Sequence, residues 1–253
     1  VIHKLLGSCS ADDFIQFGLD AMSPFRNLSA LERNYKDNQS DPAFIHTYLK
    51  ALQAAGNDGK MTEIAATWLE SQRQESLLSA FNYQMLHQYL RNPMSPAFSY
   101  FIKNAETFGE RYGTDEVQAK IYNTLLFHTN TFFDHRSRDP HTSIRKQDLN
   151  DYLQFIEHTG FYRANEIIGL SRLNMYLHLK DFKEYAAVVD DMIARNDLQH
   201  HPNPTSQYVM FANNVLRFSD EKQVLEKASV WARMASEAEG LNNHQLANNL
   251  NIY

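Results

Sequence analysis

An all-α fold of antiparallel helical hairpins is what this sequence predicts, on three observations. Nine glycines and seven prolines make up about 6% of the 253 residues, half the usual share of roughly 12%. That disfavours turn-dense sandwiches and propellers and favours helices. From residue 28 onward the apolar residues recur at helical spacing almost without a break. Gly, Pro, Asn and Asp punctuate that pattern roughly every 15 to 25 residues, so each helix is short and must lay its apolar stripe on the next one.

The elements follow in order. Residues 1–6 (VIHKLL) form a short apolar run ended by Gly7, read as a strand. Ser10 then caps a helix, with Asp13 three residues on in a variant of the capping box, and Phe14, Ile15, Phe17, Leu19 and Met22 carry that helix up to Pro24. Leu28, Leu31 and Tyr35 mark a second helix. Asp41 and Pro42 combine an N-cap with proline at N1, opening a helix through Phe44, Ile45, Tyr48 and Leu52 that stops at Gly56. Its partner carries Met61, Ile64, Ala65, Trp68 and Leu69 on one face, and a tight turn makes the two a helical hairpin. The same grammar predicts single helices over 77–90 and from Ser95 to Gly113, and a longer one capped at Thr114 that reaches Phe132. Residues 134–143 (DHRSRDPHTS) are the one polar stretch long enough to separate subdomains. Helices then follow over 149–158, 164–179, 182–195, 205–218 and 222–239. A last pattern over 243–253 carries Leu246, Ala247, Leu250 and Tyr253 with no later helix in the sequence to cover them, as expected of a chain cut within a hairpin.

Charge and cysteine content narrow the chemistry. Twenty-four basic against 30 acidic residues give a net charge of −6 with no basic cluster, which argues against a phosphate-tracking nucleic-acid surface. The longest uncharged runs are too polar to insert in a bilayer. Cys9 is the lone cysteine, so no intrachain disulfide, CxxC pair or cysteine-rich zinc site is possible. Asp12 and Asp13 beside it oppose a thiolate, so Cys9 reads as an incidental thiol. Among the eleven histidines, His128, His135 and His141 surround the polar loop and His200 and His201 precede Pro202, but neither an i, i+4 pair nor HExxH occurs, so no metal is expected. The acidic pairs Asp190 with Asp191 and Glu237 with Glu239 read as solvated faces. With no GxSxG, no glycine-rich phosphate loop and no nucleophile–base spacing, the sequence names no catalytic residue and no cofactor. Most of the aromatics sit at helical spacing and read as core, while Tyr83, Tyr89, Tyr122 and Tyr208 suit either a core or a protein-binding surface.

Two resemblances give these elements a context. Residues 170–195 (LSRLNMYLHLKDFKEYAAVVDDMIAR) resemble a tetratricopeptide-type repeat, with a turn at Lys180 and Asp181 and small Ala186 where two helices approach. The expected architecture is therefore a degenerate, tetratricopeptide-like array. In such an array the first helix of each hairpin lines the concave face. Asn165, Arg172 and Tyr176, at spacings of seven and four, then fall on one stripe and are the expected contacts for a protein or peptide partner, while Leu173 and Leu177 face neighbouring helices.

The opening VIHKLLGSCSADDFIQFGLDAM resembles the last strand, glycine turn and closing helix of a thioredoxin fold. With SALERNYKDNQSDPAFIHTYLKALQAAG and ETFGERYGTDEVQAKIYNTL, the chain resembles the helical C-terminal region of bacterial thioredoxin-like or thiol:disulfide interchange proteins. The resemblance implies that residues 1–23 end a thioredoxin-like fold and 24–253 form the helical-repeat domain, in the periplasm or cell envelope. It also implies that the chain, which opens on Val1 and lacks the CxxC of such proteins, is the part C-terminal to their active site. Two functions are then expected: a non-catalytic helical scaffold or protein-binding module attached to a thioredoxin-like domain, or the fragment of a thiol-disulfide oxidoreductase whose CxxC lies upstream. The residues before Val1 discriminate between them.

Overall fold

The computed structural model describes residues 4, 5, 7–134 and 144–239, and among these residues there are thirteen α-helices and no strand. Lys4 and Leu5 adopt no regular structure, and the rest of the strand expected over 1–6 lies outside the described residues, as does the pattern over 243–253. Only Asp134 of the expected subdomain break is described. The chain divides into two compact units, Val1–Thr124 and Leu125–Tyr253.

In the first unit, α1 (Ala11–Met22), α2 (Leu28–Asn38), α3 (Pro42–Ala54) and α4 (Asp58–Ser71) start where polar side chains replace the missing turn. Ser10 Oγ accepts from the Asp13 amide and donates to its carboxylate, and Asn27, Asp41 and Asn57 cap the next three helices. Two long helices expected from the sequence are broken. The run over 77–90 is a 3-10 turn (Gln74–Leu78) followed by α5 (Ala80–Tyr89). Ser79 between them is extended because the Asn82 side chain holds the turn: its Nδ2 donates to the Ser76 carbonyl while its Oδ1 accepts from Trp68 Nε1. The run from Ser95 to Gly113 is α6 (Pro96–Lys103) and α7 (Ala105–Tyr112), divided at Asn104. There Nδ2 donates to the Tyr100 carbonyl alongside the backbone N–H of Asn104, so the side chain shares the acceptor of the helix's own ladder. α8 (Thr114–His128) tightens into a 3-10 turn over Thr129–Phe132, where the sequence predicted continuous helix. Tyr48, Leu52, Trp68, Phe98, Phe101 and Phe108 are among the large buried side chains of this unit, and Tyr83 stacks on Tyr112 at 3.9 Å between centroids.

In the second unit, α9 (Lys146–His158), α10 (Ala164–Leu179), α11 (Phe182–Ala194), α12 (Pro204–Phe218) and α13 (Lys222–Glu239) follow the sequence pattern closely. Consecutive helices pack on each other, α12 on α13, α10 on α11 and α9 on α10, and the short connections make these pairs antiparallel. The turn at Lys180 and Asp181 forms as expected: Lys180 adopts the left-handed conformation, Asp181 N donates to the Tyr176 carbonyl, and the Asp181 carboxylate caps α11. Phe182, Tyr185, Val189, Phe211, Val215 and Trp231 form one buried cluster.

Gly169 sets how closely α10 and α11 approach. A Cβ at that position would lie 2.7 Å from Cγ and Cε of Met192, which is itself fully buried. Gly169→Ala is therefore expected to cost about 1–2 kcal/mol in urea unfolding, overpacking outweighing the gain of up to about 1 kcal/mol in helix propensity. An unchanged midpoint would show that Met192 swings aside freely.

Candidate functional site

A groove of about 330 Å³ runs between α9 and α10. On α9, Leu149, Tyr152, Leu153 and Ile156 form the buried face, and the Tyr152 hydroxyl anchors the helix by donating to the Leu125 carbonyl at 2.9 Å. With that face fixed inward, Gln147, Asn150, Gln154 and Glu157, spaced three, four and three apart, rise as one exposed row along the groove. Leu153 and Ile168 form its floor, and Asn165 and Arg172 of α10 form the opposite wall. Arg195, just after α11, also reaches it, held by Asp191 at 2.7 Å and Asp197 at 2.9 Å.

Of the three side chains expected from sequence to meet a partner, Asn165 and Arg172 are exposed and share this groove. Tyr176 is half-buried and packs against the core of α11–α13 instead, with Leu173 and Leu177. Burial raises its hydroxyl pKa, Glu184 and Asp181 add to the rise, and Arg172 opposes it. The row on α9 and Arg195 were not singled out from sequence, although the three-four-three spacing of polar residues on α9 is a legible signal.

Other candidates resolve into structural roles or lie apart. Asp190 accepts from Trp231 Nε1 and pairs with Lys227, whereas Asp191 pairs with Arg195, so the adjacent carboxylates serve different partners. Tyr83 and Tyr89 are core residues, and Tyr122 and Tyr208 are half-buried. Burial and then Arg145 lower the pKa of His128, which packs on Phe132 and Tyr152. His135 and His141 lie outside the described residues. Among the described residues no three His, Cys, Asp or Glu side chains stand close enough to share a metal ion, and no helix is long and apolar enough to cross a membrane. Cys9 is exposed, and Asp13 lines the same cleft between α1 and α3, as do His46 and Lys50.

One helix face stands out. No residue of α1 is buried, and Phe14, Ile15, Leu19 and Met22, together with Phe25, are 54–76% exposed. Five large apolar side chains so close together exceed the scattered exposure of an ordinary surface. Comparison with protein families, with characterised proteins and with solved structures yields no match to this chain.

Proposed function

We propose that this chain is a tetratricopeptide-like helical scaffold that binds a protein or peptide partner and is joined to a thioredoxin-like domain. The observation that carries the binding role is the α9–α10 groove. Asn150, Gln154, Asn165 and Arg172 line it, and their side chains make no hydrogen bond or ion pair with any described residue. Four neighbouring polar groups with no protein partner for their donors and acceptors among the described residues suit a polar ligand that brings its own hydrogen bonds, as a peptide backbone does. The attachment is supported by the apolar face of α1, which matches what the closing helix of a thioredoxin-like fold presents to its sheet. On this reading the protein works in the bacterial envelope, and the chain contributes recognition rather than chemistry.

Selection from a random peptide display library against the whole chain tests the binding role. Ligands are expected whose binding Asn150→Trp reduces at least roughly tenfold by filling the groove, since loss of a central contact costs more than about 1 kcal/mol. Asn150 is exposed, so the tryptophan leaves the core untouched. A selection that yields no ligand sensitive to this substitution would remove the groove as the binding site.

A further inference from the structure

The groove carries opposite charges at its two ends. Because α9 and α10 run antiparallel about the turn at 159–163, Glu157 stands level with Asn165, and Asn150 with Arg172. Glu157 and Arg172 are therefore offset along the groove by seven helical positions, about 10 Å at 1.5 Å per residue, and stand on its opposite walls. Both side chains are exposed, and neither makes an ion pair or hydrogen bond among the described residues. With the width of the groove added, the two charges stand more than a Debye length apart in ordinary salt, about 10 Å, and do not neutralise each other. Arg195 adds little to this pattern, because Asp191 and Asp197 already hold its guanidinium. The carboxamides of Asn165 and Asn150 stand beside the charged ends and that of Gln154 lies between them, each offering a donor and an acceptor in one plane, as a peptide group does.

A ligand matched to this pattern needs an unspent backbone and two opposite charges offset by about 10 Å along its length, both turned into the groove, where each reaches one wall. A polyproline-II segment has both: it makes no internal hydrogen bonds, and with three residues per turn at 3.1 Å each, side chains three positions apart point the same way about 9 Å from one another. A β-strand would instead turn them to opposite sides. We propose that the groove takes an extended polyproline-II peptide with one acidic and one basic side chain three residues apart. The acidic one pairs with Arg172, the basic one with Glu157, and the carboxamides hold the backbone. This rests on the peptide-binding reading above and adds the identity of the ligand. Arg172 is suited to its part because its planar guanidinium can grip a carboxylate through two parallel hydrogen bonds.

The test uses three short fluorescein-labelled peptides on one proline-rich frame, with Asp and Lys, two Asp, or two Lys at the positions three apart, titrated into the whole chain by fluorescence anisotropy. The mixed peptide should bind roughly tenfold tighter than either like-charged one at low salt, and the preference should fall away at about 0.5 M salt. Arg172→Glu should move the preference to the Lys/Lys peptide, and Glu157→Arg to the Asp/Asp peptide. Equal binding of all three peptides, binding of none, or variants that leave the preference unmoved would overturn the proposal. If the display selection nevertheless finds ligands sensitive to Asn150→Trp that carry no such charge pair, the scaffold reading stands and this one alone fails. If it finds none, both fall.

Discussion

Replacing Arg163 with methionine is expected to destabilise the second unit by about 3–5 kcal/mol, because it leaves a buried carboxylate without its guanidinium. Glu166 lies in the first turn of α10 and is 0% exposed, and Arg163 is nearly as enclosed. The guanidinium grips it with two parallel bonds, Nε to Oε2 and Nη2 to Oε1, each 2.7 Å. The amino end of a helix favours a carboxylate, and no side chain caps α10, so Glu166 also offsets the exposed amides of the first turn. The pair itself need not add net stability, since both groups pay to leave water; removing one partner is what costs. Arg163→Met/Glu166→Leu should therefore lose clearly less than Arg163→Met alone. Trp231 belongs to this unit and Trp68 to the other, so urea unfolding followed by fluorescence in a Trp68→Phe background reports the second unit. A loss below about 1 kcal/mol for the single variant would mean that the carboxylate finds water or another donor.

Where the sequence carried strong terminators, the helices came out nearly residue for residue: α10 has the expected ends, α13 the expected start, and Ser10, Asp41 and Asp181 cap as their residue types require. The two broken runs share one cause. Asn82 and Asn104 lie inside apolar runs with helical spacing, yet each side chain captures a nearby carbonyl and bends the chain. Periodicity does not register that competition, because it depends on which carbonyls are near after folding. The candidate site was legible in part for a geometric reason. A seven-residue step drifts only about 20° around a helix, which keeps Asn165 and Arg172 on one wall. The further four-residue step to Tyr176 turns about 40° the other way, at 100° per residue, toward α11 and its core. The wall contributed by α9 depends on which hairpin packs against which, and that pairing is tertiary information. The charge pattern along the groove became visible only once Glu157 and Arg172 were set across from each other.

The first unit is expected to gain stability as pH rises from about 7 to 10, and Lys120 is the cause. This lysine of α8 is only 8% exposed, and its Nζ donates to the carbonyl of Leu90, the C-terminal cap of α5, at 2.7 Å. A helix C-terminus welcomes a cation, but burial outweighs that attraction and Arg91 adds repulsion, so the amine is pushed down to about 7. Below that pH both folded and unfolded chains hold the proton, and the folded one carries an unfavourable buried ammonium. Between about 7 and the ordinary lysine value of 10.5, the unfolded chain holds a proton that the folded chain has released. Stability must then increase with pH, by an amount on the order of 2–4 kcal/mol across the window. The other shifted groups act outside it. His46 and His87 are lowered by burial and so add stability as pH rises through the acid side of 7. Tyr48, pushed up to about 12 by burial, stays protonated in the folded state while the unfolded chain ionises, so stability falls again above about 10. Urea midpoints from Trp68 fluorescence in a Trp231→Phe background, taken at intervals between about pH 7 and 10, should climb for the wild-type chain. Lys120→Met should climb much less. At pH 9 and above it should be the less stable protein, because the Leu90 carbonyl loses its donor at a cost of about 1–3 kcal/mol; near pH 6 the gap should narrow or reverse, since the buried charge is gone. Equal slopes in the two proteins would show that Lys120 reaches water and keeps its ordinary affinity for the proton.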